Sequence, residues 1–503
     1  MKNISQRIVN FANYFIAGFG LVILSLLSFM ILTTRSYIEN FELTRITNNS
    51  FLFIIMAVIV GFIVIAMKKV LQHVSPKILF IIGAIIWLVI GVIYYLQGPN
   101  EVFGCWDQAQ CFNIAKELAN GNYDSLKDYY LIKYPFQIGL VFFERLFLFF
   151  SDSIYVLYFI NIIIMILINF FQVKITRLLF DASDVVVNYV ILFSFMFLPL
   201  LFYITYVYGN WPGLLFAVIA VYYGLRYLKD SRKYKYSWIV MVVFIGLANL
   251  IKTNYIITAI ALLIVFGLQG LKNLDYKKIL IGLSIFVGIF LANASVKNYY
   301  EMRMDSSFSQ GIPKVAWITM GMQDNTENPN YEAGWFNFYT EDLYADTHEN
   351  TQKTEKIARK DLVKQVKYYF NHPAEGYSFL RDKLLTTWTN PSYDVFYSTP
   401  IREKYLKRYD KDPNLYGFMT MMNMLNLYIV VFAGLYIVFN FRKLNRYAIY
   451  AILYLIGGFM FHFFWETKSQ YIIQYMYMLM PLSAMYLGNN NIFEKIQQKL
   501  AKK

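Results

Sequence analysis

The sequence has little charge and few cysteines or histidines for its length. Of its 503 residues, 16% are charged, two are cysteines and four are histidines. Two cysteines exclude a disulfide-rich scaffold and a cysteine-rich metal site, and four histidines argue against a histidine-rich one. Soluble domains carry about 25% charged residues. The low charge, with 58% apolar residues, therefore excludes an ordinary soluble enzyme and a disordered chain.

Several nucleotide and hydrolase motifs are also absent. The chain has no glycine-rich phosphate loop, no HExxH zinc motif and no GxSxG nucleophile elbow. These absences argue against a nucleotide-driven enzyme. No basic stretch is typical of a nucleic-acid site, so we attribute the net charge of +14 to cytoplasmic loops of a membrane protein and expect no nucleic-acid partner.

Long apolar runs are abundant, and a membrane-spanning helix needs about 20 mainly apolar residues. They predict an all-α polytopic membrane protein with about twelve transmembrane helices. The candidate spans are 12–33, 51–67, 78–97, 153–173, 185–205, 212–228, 237–251, 254–270, 279–297, 416–440, 447–464 and 470–488.

Lysine and arginine concentrate in alternate loops, which places those loops and both termini in the cytoplasm by the positive-inside rule. Two long loops then face outward. In the second loop, the spacing of apolar and charged residues predicts a surface helix over 352–371, which ends before Pro373, and a second helix over 375–388. The chain divides into five parts: N-terminal helices (1–97), a first outer loop (98–152), central helices (153–297), a large outer loop (298–415), and C-terminal helices with a basic tail (416–503).

Asp107 lies just beyond the third predicted span, in the first outer loop. A carboxylate there is suited to accept a proton from a hydroxyl group. The alternatives are a cap of the short helix predicted after it, or a solvated acid of the loop. Cys105 and Cys111 flank this aspartate on the oxidising side of the membrane. They fit a disulfide that stiffens the loop and fit two separate thiols equally well.

Lys252 interrupts an apolar stretch at the outer membrane surface, whereas the other inter-span lysine clusters are cytoplasmic. An ionisable residue in such apolar surroundings indicates a functional site, here one for a lipid-linked phosphate. The alternative is a side chain that extends into the lipid headgroups. Glu466 and Lys468, in the last outer turn, fit either a local ion pair or a shared cavity with Lys252.

The order of these weak motifs resembles that of the GT-C glycosyltransferases, most closely the family 39-type members (protein mannosyltransferase and aminoarabinose transferase-like) of Gram-positive bacteria. The resemblance covers about residues 78–488. Besides Asp107 and Lys252, the motifs that carry it are Lys133-Tyr134-Pro135-Phe136-Gln137, Tyr208-Gly209-Asn210, Gly311-Ile312-Pro313-Lys314, Trp317–Gly321, Gly334-Trp335-Phe336-Asn337, His372-Pro373, Lys383, Trp388 and Trp465–Tyr471.

The resemblance implies a GT-C-like helical bundle in which Asp107 is the general base and Lys252 holds the donor phosphate. Glu466, Lys468 and Tyr471 would lie near the lipid headgroup or sugar. Further pocket candidates are Lys133, Tyr134, Gln137, Tyr208, Asn210 and Lys383. Related mannosyltransferases often have Asp-Glu where this chain has Asp107 followed by Gln108.

The implied reaction transfers a sugar, with inversion, from a polyprenyl-phosphate donor in the membrane to an extracellular acceptor. We expect the acceptor to be a cell-wall polysaccharide or teichoic acid, and we expect no metal and no other cofactor. One alternative is a Wzy-type polysaccharide polymerase or ligase, which also has about twelve spans and a large outer loop. A lipid-linked sugar flippase or transporter is the other, although it predicts internal repeats and charges deep in the spans.

Overall fold

The computed structural model of the chain describes residues 2–40, 43–96, 106–325, 331–396 and 413–489. Within these residues the chain is mainly helical, and the one sheet is an antiparallel hairpin of β1 (Thr34–Asn40) and β2 (Leu43–Asn48). We number the α-helices in chain order: α1 Lys2–Thr33, α2 Phe51–Ala66, α3 Lys68–Leu71, α4 Pro76–Leu96, α5 Trp106–Ala119, α6 Tyr129–Lys133, α7 Ile138–Leu148, α8 Ile154–Phe180, α9 Asp184–Met196, α10 Leu198–Phe202, α11 Asn210–Lys229, α12 Ser237–Ile251, α13 Ile256–Asn273, α14 Tyr276–Met304, α15 Lys314–Gly321, α16 Tyr339–Asp346, α17 Thr351–Asn371, α18 Pro373–Thr389, α19 Pro413–Asn440, α20 Arg446–Phe464 and α21 Ile473–Asn489. Short 3-10 helices cover Tyr123–Lys127, Pro135–Gln137, Tyr203–Thr205, Thr253–Tyr255 and Ser469–Tyr471.

Eleven of the twelve predicted spans fall mainly on one helix each, and 185–205 is divided between α9, α10 and the 3-10 helix Tyr203–Thr205. This agrees with an all-α multi-pass membrane protein. Nine helices of the described chain are long and apolar enough to cross a membrane, and α9 with the segment Leu198–Thr205, bent by 46°, forms a tenth candidate. The helices α12 and α21 are shorter, with 15 and 17 residues. α12 ends at Ile251, just before Lys252, and α21 follows the Ser469–Tyr471 turn, so polar residues of these turns flank both helices. The number twelve and the loop orientation stay predictions.

The centre of the bundle is formed by helices that are buried on several sides. α11 packs against α8 and α12, while α19 packs against α1 and α21. In contrast, α2, α4 and α14 leave most of their apolar side chains exposed, as helices that face lipid do.

The outer loops contain the surface helices predicted from sequence. Helix α17 (Thr351–Asn371) matches the predicted 352–371, and α18 begins at Pro373, a favoured first-turn position for proline. Helix α7 likewise follows Pro135. The β1–β2 hairpin was not predicted. It packs on α18, where the Ser36 hydroxyl donates to the carbonyl oxygen of Thr389 at 3.2 Å.

We expect an impermeant maleimide to label Gln352→Cys in intact cells, in a background with both native cysteines changed to serine. Gln352 is exposed on α17, and the loop charges place this helix outside. Lys235→Cys is the matched control, since Lys235 is exposed in a loop predicted to be cytoplasmic. It should react only after the membrane is permeabilised. The reverse pattern would invert the topology.

Candidate active site

Asp107 lies in the first turn of α5, where the exposed carboxylate is favoured by the helix dipole. The next residue, Gln108, is fully buried, and its Oε1 accepts a hydrogen bond from the Val207 N–H at 2.9 Å. This contact joins the start of α5 to the turn before α11. Gln108, the departure from the Asp-Glu pattern, thus has a positioning role for the helix turn that carries Asp107.

The Tyr208 side chain connects Asp107 with Lys252. Its hydroxyl donates to Asp107 Oδ2 at 3.2 Å, and the Lys252 ammonium nitrogen lies 4.1 Å from the centroid of its ring. The same ammonium lies 5.6 Å from the ring centroid of Tyr471. Such cation–π contacts stabilise by about 0.5–2 kcal/mol. Residues far apart in sequence therefore form one cluster at one end of the bundle.

Gln137 orients the Tyr208 hydroxyl. Its side-chain amide is buried and donates to the hydroxyls of Tyr208 and Tyr130, the latter at 3.1 Å. Because the Tyr208 oxygen accepts from Gln137, its own proton is directed to Asp107. Burial raises the pKa of Tyr208 well above its usual range, with the Asp107 carboxylate adding to the shift. Tyr208 therefore stays a neutral donor at physiological pH.

Tyr130 also accepts from the buried thiol of Cys111 at 3.8 Å. Tyr130 is not among the predicted site residues, since its partners Cys111 and Gln137 lie in other segments of the chain. Cys105 lies outside the described residues, so the pairing of Cys105 with Cys111 stays a prediction.

Close backbone packing brings Lys252 to this cluster. A Cβ atom added at Gly139 would lie 1.9 Å from the Leu250 carbonyl oxygen, and one added at Gly209 would lie 2.6 Å from that of Ile251. Only glycine lets α7 and the turn before α11 approach the end of α12 so closely. Lys252 follows directly in an extended conformation, and its N–H donates to the Ala248 carbonyl oxygen at 3.0 Å.

Burial lowers the pKa of Lys252 to about 8, and the carboxylates of Asp107 and Glu466 oppose this shift. The ammonium group lies against the rings of Tyr208 and Tyr471. This position differs from the alternative in which the lysine side chain extends into the lipid headgroups. The arrangement gives a cation within reach of an anionic ligand and near a carboxylate.

The last outer turn contributes to the same cluster. Glu466 Oε1 accepts from the Tyr471 hydroxyl at 3.5 Å. Lys468 is directed to the second outer loop, with its ammonium 4.6 Å from the Trp335 ring centroid. Asp394, which the sequence did not single out, accepts from the Gln470 N–H at 3.3 Å. It thereby holds the turn that carries Tyr471.

Three predicted pocket residues make contacts that join the outer loops. The Lys133 ammonium lies 3.2 Å from Glu341 Oε2, and the Tyr134 hydroxyl donates to the same carboxylate. Lys383 is fully buried, and its ammonium donates to the carbonyl oxygens of Gly321 and of Trp465, the latter at 2.9 Å. These contacts explain packing, and a pocket role for the three residues stays a prediction.

A small cleft opens beside Lys252. Four amide side chains, three aromatic side chains, Ile473 and Lys252 line it. The amides are Asn210, Asn254, Gln470 and Gln474, and the aromatics are Trp211, Tyr255 and Tyr471. Among the described residues, no group of three or more histidine, cysteine or acidic side chains could hold a metal ion. The expected independence from metal stays a prediction.

One family model matches the chain over residues 139–295, and its description is dolichyl-phosphate-mannose-protein mannosyltransferase. The match covers less than half of the chain. It contains Tyr208, Asn210 and Lys252, and it ends before the second outer loop. The similarity supports the resemblance to GT-C glycosyltransferases, while the family 39 subtype and the Gram-positive type stay predictions. Searches of curated proteins and of solved structures gave no match.

We expect Lys383→Met to lower the free energy of unfolding by about 1–3 kcal/mol, because two buried carbonyl groups lose their donor. Thermal unfolding of the purified protein in detergent would measure the change. Lys364→Met is the matched control, since Lys364 is exposed on α17. Equal stability of the two variants would contradict the role of Lys383 in joining the loops.

Proposed function

We propose that this protein is a membrane glycosyltransferase that moves a sugar from a polyprenyl-phosphate-linked donor to an extracellular acceptor. The observation that most supports this proposal is the arrangement around Tyr208: its hydroxyl is hydrogen-bonded to Asp107, and the Lys252 ammonium lies against its ring face. A base and a phosphate-binding cation are the two groups that such a transfer needs. The family match over the segment with Tyr208 and Lys252 supports the same class of reaction.

In the proposed reaction, the acceptor oxygen attacks C1 of the sugar as its proton passes to Asp107. Because Tyr208 donates to Oδ2 of this aspartate, Oδ1 is the oxygen that receives the proton. The bond between C1 and the phosphate oxygen breaks, and the electron pair leaves with the polyprenyl phosphate. Attack opposite the leaving group inverts the configuration at C1.

Lys252 stabilises the charge that grows on the leaving phosphate. A diester phosphate carries one negative charge, and departure of the sugar adds a second. A fixed cation interacts more strongly with the transition state than with the bound donor, and this difference accelerates the reaction. Lys252 is half-buried between the rings of Tyr208 and Tyr471, so solvent screens this interaction less than it would at the open surface.

The donor lipid remains in the membrane while its headgroup lies at the outer turns of the bundle. The acceptor in this proposal is an extracellular cell-wall polysaccharide or teichoic acid, following the resemblance and the outward loops. No cofactor takes part, since the activated sugar phosphate supplies the leaving group.

Asp107→Asn should reduce sugar transfer by about 10²–10⁴-fold, because the amide cannot accept the acceptor proton. Lipid mass spectrometry would compare a deletion strain complemented with wild type, with this variant, or with Asp124→Asn as a control. Asp124 is an exposed aspartate of the same loop that pairs with Lys127 at 3.2 Å. The deletion strain and Asp107→Asn should accumulate a polyprenyl-phosphate monosaccharide, and the control should not.

Two other results would contradict this proposal. Accumulation of a polyprenyl-linked oligosaccharide repeat would indicate a polymerase or ligase. Normal activity of Asp107→Asn would remove the aspartate from the chemistry.

The value of kcat/KM for the donor should fall as pH rises through about 8. The Lys252 pKa near 8 in the free protein means that its ammonium loses the proton above this pH, and phosphate attraction is lost with it. In Lys252→Arg the guanidinium stays charged, so the fall near pH 8 should disappear even if the rate is lower. An unchanged alkaline limb in Lys252→Arg would exclude Lys252 as its source.

A further inference from the structure

Two arginines and three tyrosines form a second cluster, where α14 meets α7 and the 3-10 helix Tyr123–Lys127. We call it the arginine–tyrosine cluster, and none of its residues belongs to the candidate active site. Its members are Arg145, Arg303, Tyr123, Tyr299 and Tyr300.

The Arg145 guanidinium group holds the three tyrosine hydroxyls together. It donates to Tyr123 at 2.9 Å, to Tyr300 at 3.4 Å and to Tyr299 at 3.5 Å. The hydroxyl oxygens of Tyr123 and Tyr299 are 3.4 Å apart. Arg303 Cζ lies 5.4 Å from the ring centroid of Tyr123 and 5.6 Å from that of Tyr299. Both cations therefore contact the same two tyrosines.

The polar atoms of this cluster are accessible. The Tyr299 side chain is 38% exposed, Arg303 is exposed, and Arg145 and Tyr123 are half-buried. The hydrogen bond from Arg145 to Tyr299 and the contact between the Tyr123 and Tyr299 hydroxyls both lie at the surface. A ligand can therefore reach these hydroxyls and the guanidinium group beside them.

Neither arginine of the cluster forms an ion pair with a carboxylate of the described residues. Of the acidic residues near them in sequence, Asp124 pairs with Lys127 at 3.2 Å, and Glu301 accepts from a main-chain N–H at 2.9 Å. Glu144 and Asp305 make no hydrogen bond to either arginine. The cluster thus keeps two positive charges that an anion can neutralise.

The hydrogen-bonding groups of the cluster also favour an anion. A guanidinium group has five N–H donors and no acceptor. The Tyr123 and Tyr299 oxygens both accept from Arg145, and only one proton can lie between them. The other hydroxyl proton is left for a ligand that accepts it. Phosphate oxygens suit these donors, since arginine binds phosphate through several N–H groups at once.

The surroundings of the cluster are those of a membrane surface. α14 is a candidate membrane span that leaves most of its apolar side chains exposed. Close to the arginines in sequence, Leu146, Phe149 and Met302 are exposed as well. Tyrosine and arginine at the end of a span lie at the level of the lipid headgroups. The phosphate most abundant at this level is that of a membrane lipid.

We propose that the arginine–tyrosine cluster binds the phosphate group of an anionic membrane lipid. The phosphate contacts Arg145, Arg303 and the hydroxyls of Tyr123 and Tyr299, and the acyl chains lie along the exposed face of α14. A zwitterionic lipid is a weaker ligand, because its own positive charge is repelled by the two arginines. This inference does not depend on the proposed sugar transfer.

The test measures lipid binding to the purified full-length protein in an uncharged detergent. Phosphatidylglycerol is titrated, and the bound lipid is counted by native mass spectrometry. Phosphatidylcholine and a water-soluble glycerol phosphate oligomer are titrated in parallel. Wild type should bind phosphatidylglycerol about 10-fold more tightly than either of the other two, because only this lipid combines a net negative charge with acyl chains.

Arg145→Gln should weaken the binding of phosphatidylglycerol by about 10-fold or more, because charged hydrogen bonds to the phosphate are lost. Tyr299→Phe removes one hydroxyl and should weaken it by about 2–10-fold. Arg381→Gln is the matched control, since Arg381 is an exposed arginine of α18 that pairs with Asp382 at 2.8 Å. It should bind as wild type does. Arg303→Gln, at an exposed position, replaces Arg145→Gln if that variant fails to fold.

Equal affinity of wild type and the arginine variants for phosphatidylglycerol would overturn the site. Binding of the glycerol phosphate oligomer as tightly as the lipid, with loss in the same variants, would also overturn the proposal, because it would assign the cluster to a water-soluble polymer. Either result leaves the proposed sugar transfer standing, since the assay contains no sugar donor.

Discussion

The contact of Tyr208 with both Asp107 and Lys252 is the interaction on which the site depends. A carboxylate and an ammonium group placed in direct contact would neutralise each other and leave neither available for a substrate. The phenol separates them, since it offers its hydroxyl to the carboxylate at 3.2 Å and its ring face to the cation at 4.1 Å. Both charges stay in one small region, and each keeps a side for a ligand.

This arrangement requires backbones to approach more closely than side chains usually allow. Gly139 and Gly209 lie against the carbonyl oxygens at the end of α12, as small residues do where membrane helices pack tightly. The end of α12 is thereby fixed between α7 and the turn before α11. Lys252 follows immediately, so the position of the cation is set by main-chain packing rather than by its flexible side chain.

The sequence predicts features that depend on local pattern. Apolar runs located every long helix, and the spacing of apolar and charged residues located α17 with its end before Pro373. Asp107, Tyr208, Asn210 and Lys252 were selected because a polar residue at the outer end of a span is unusual, and the structure brings them together. Asp394 was missed, since its importance comes from a partner distant in sequence. The β1–β2 hairpin was not predicted either, since it packs against α18, which is distant in sequence.

Hydrogen bonds to main-chain carbonyl oxygens join the second outer loop to the turn 465–471 of the bundle. The Thr467 N–H donates to the Gly334 carbonyl oxygen at 3.1 Å, and the Lys383 ammonium on α18 donates to the Trp465 carbonyl oxygen at 2.9 Å. Since the turn 465–471 also carries Glu466 and Tyr471, the loop and the site share one rigid support. Charged side chains of the outer loops, such as Lys133 and Lys383, thus mainly stabilise the packing of these loops. In the proposed reaction the chemistry is left to the few groups around Tyr208, where a half-buried cation and a carboxylate lie close together.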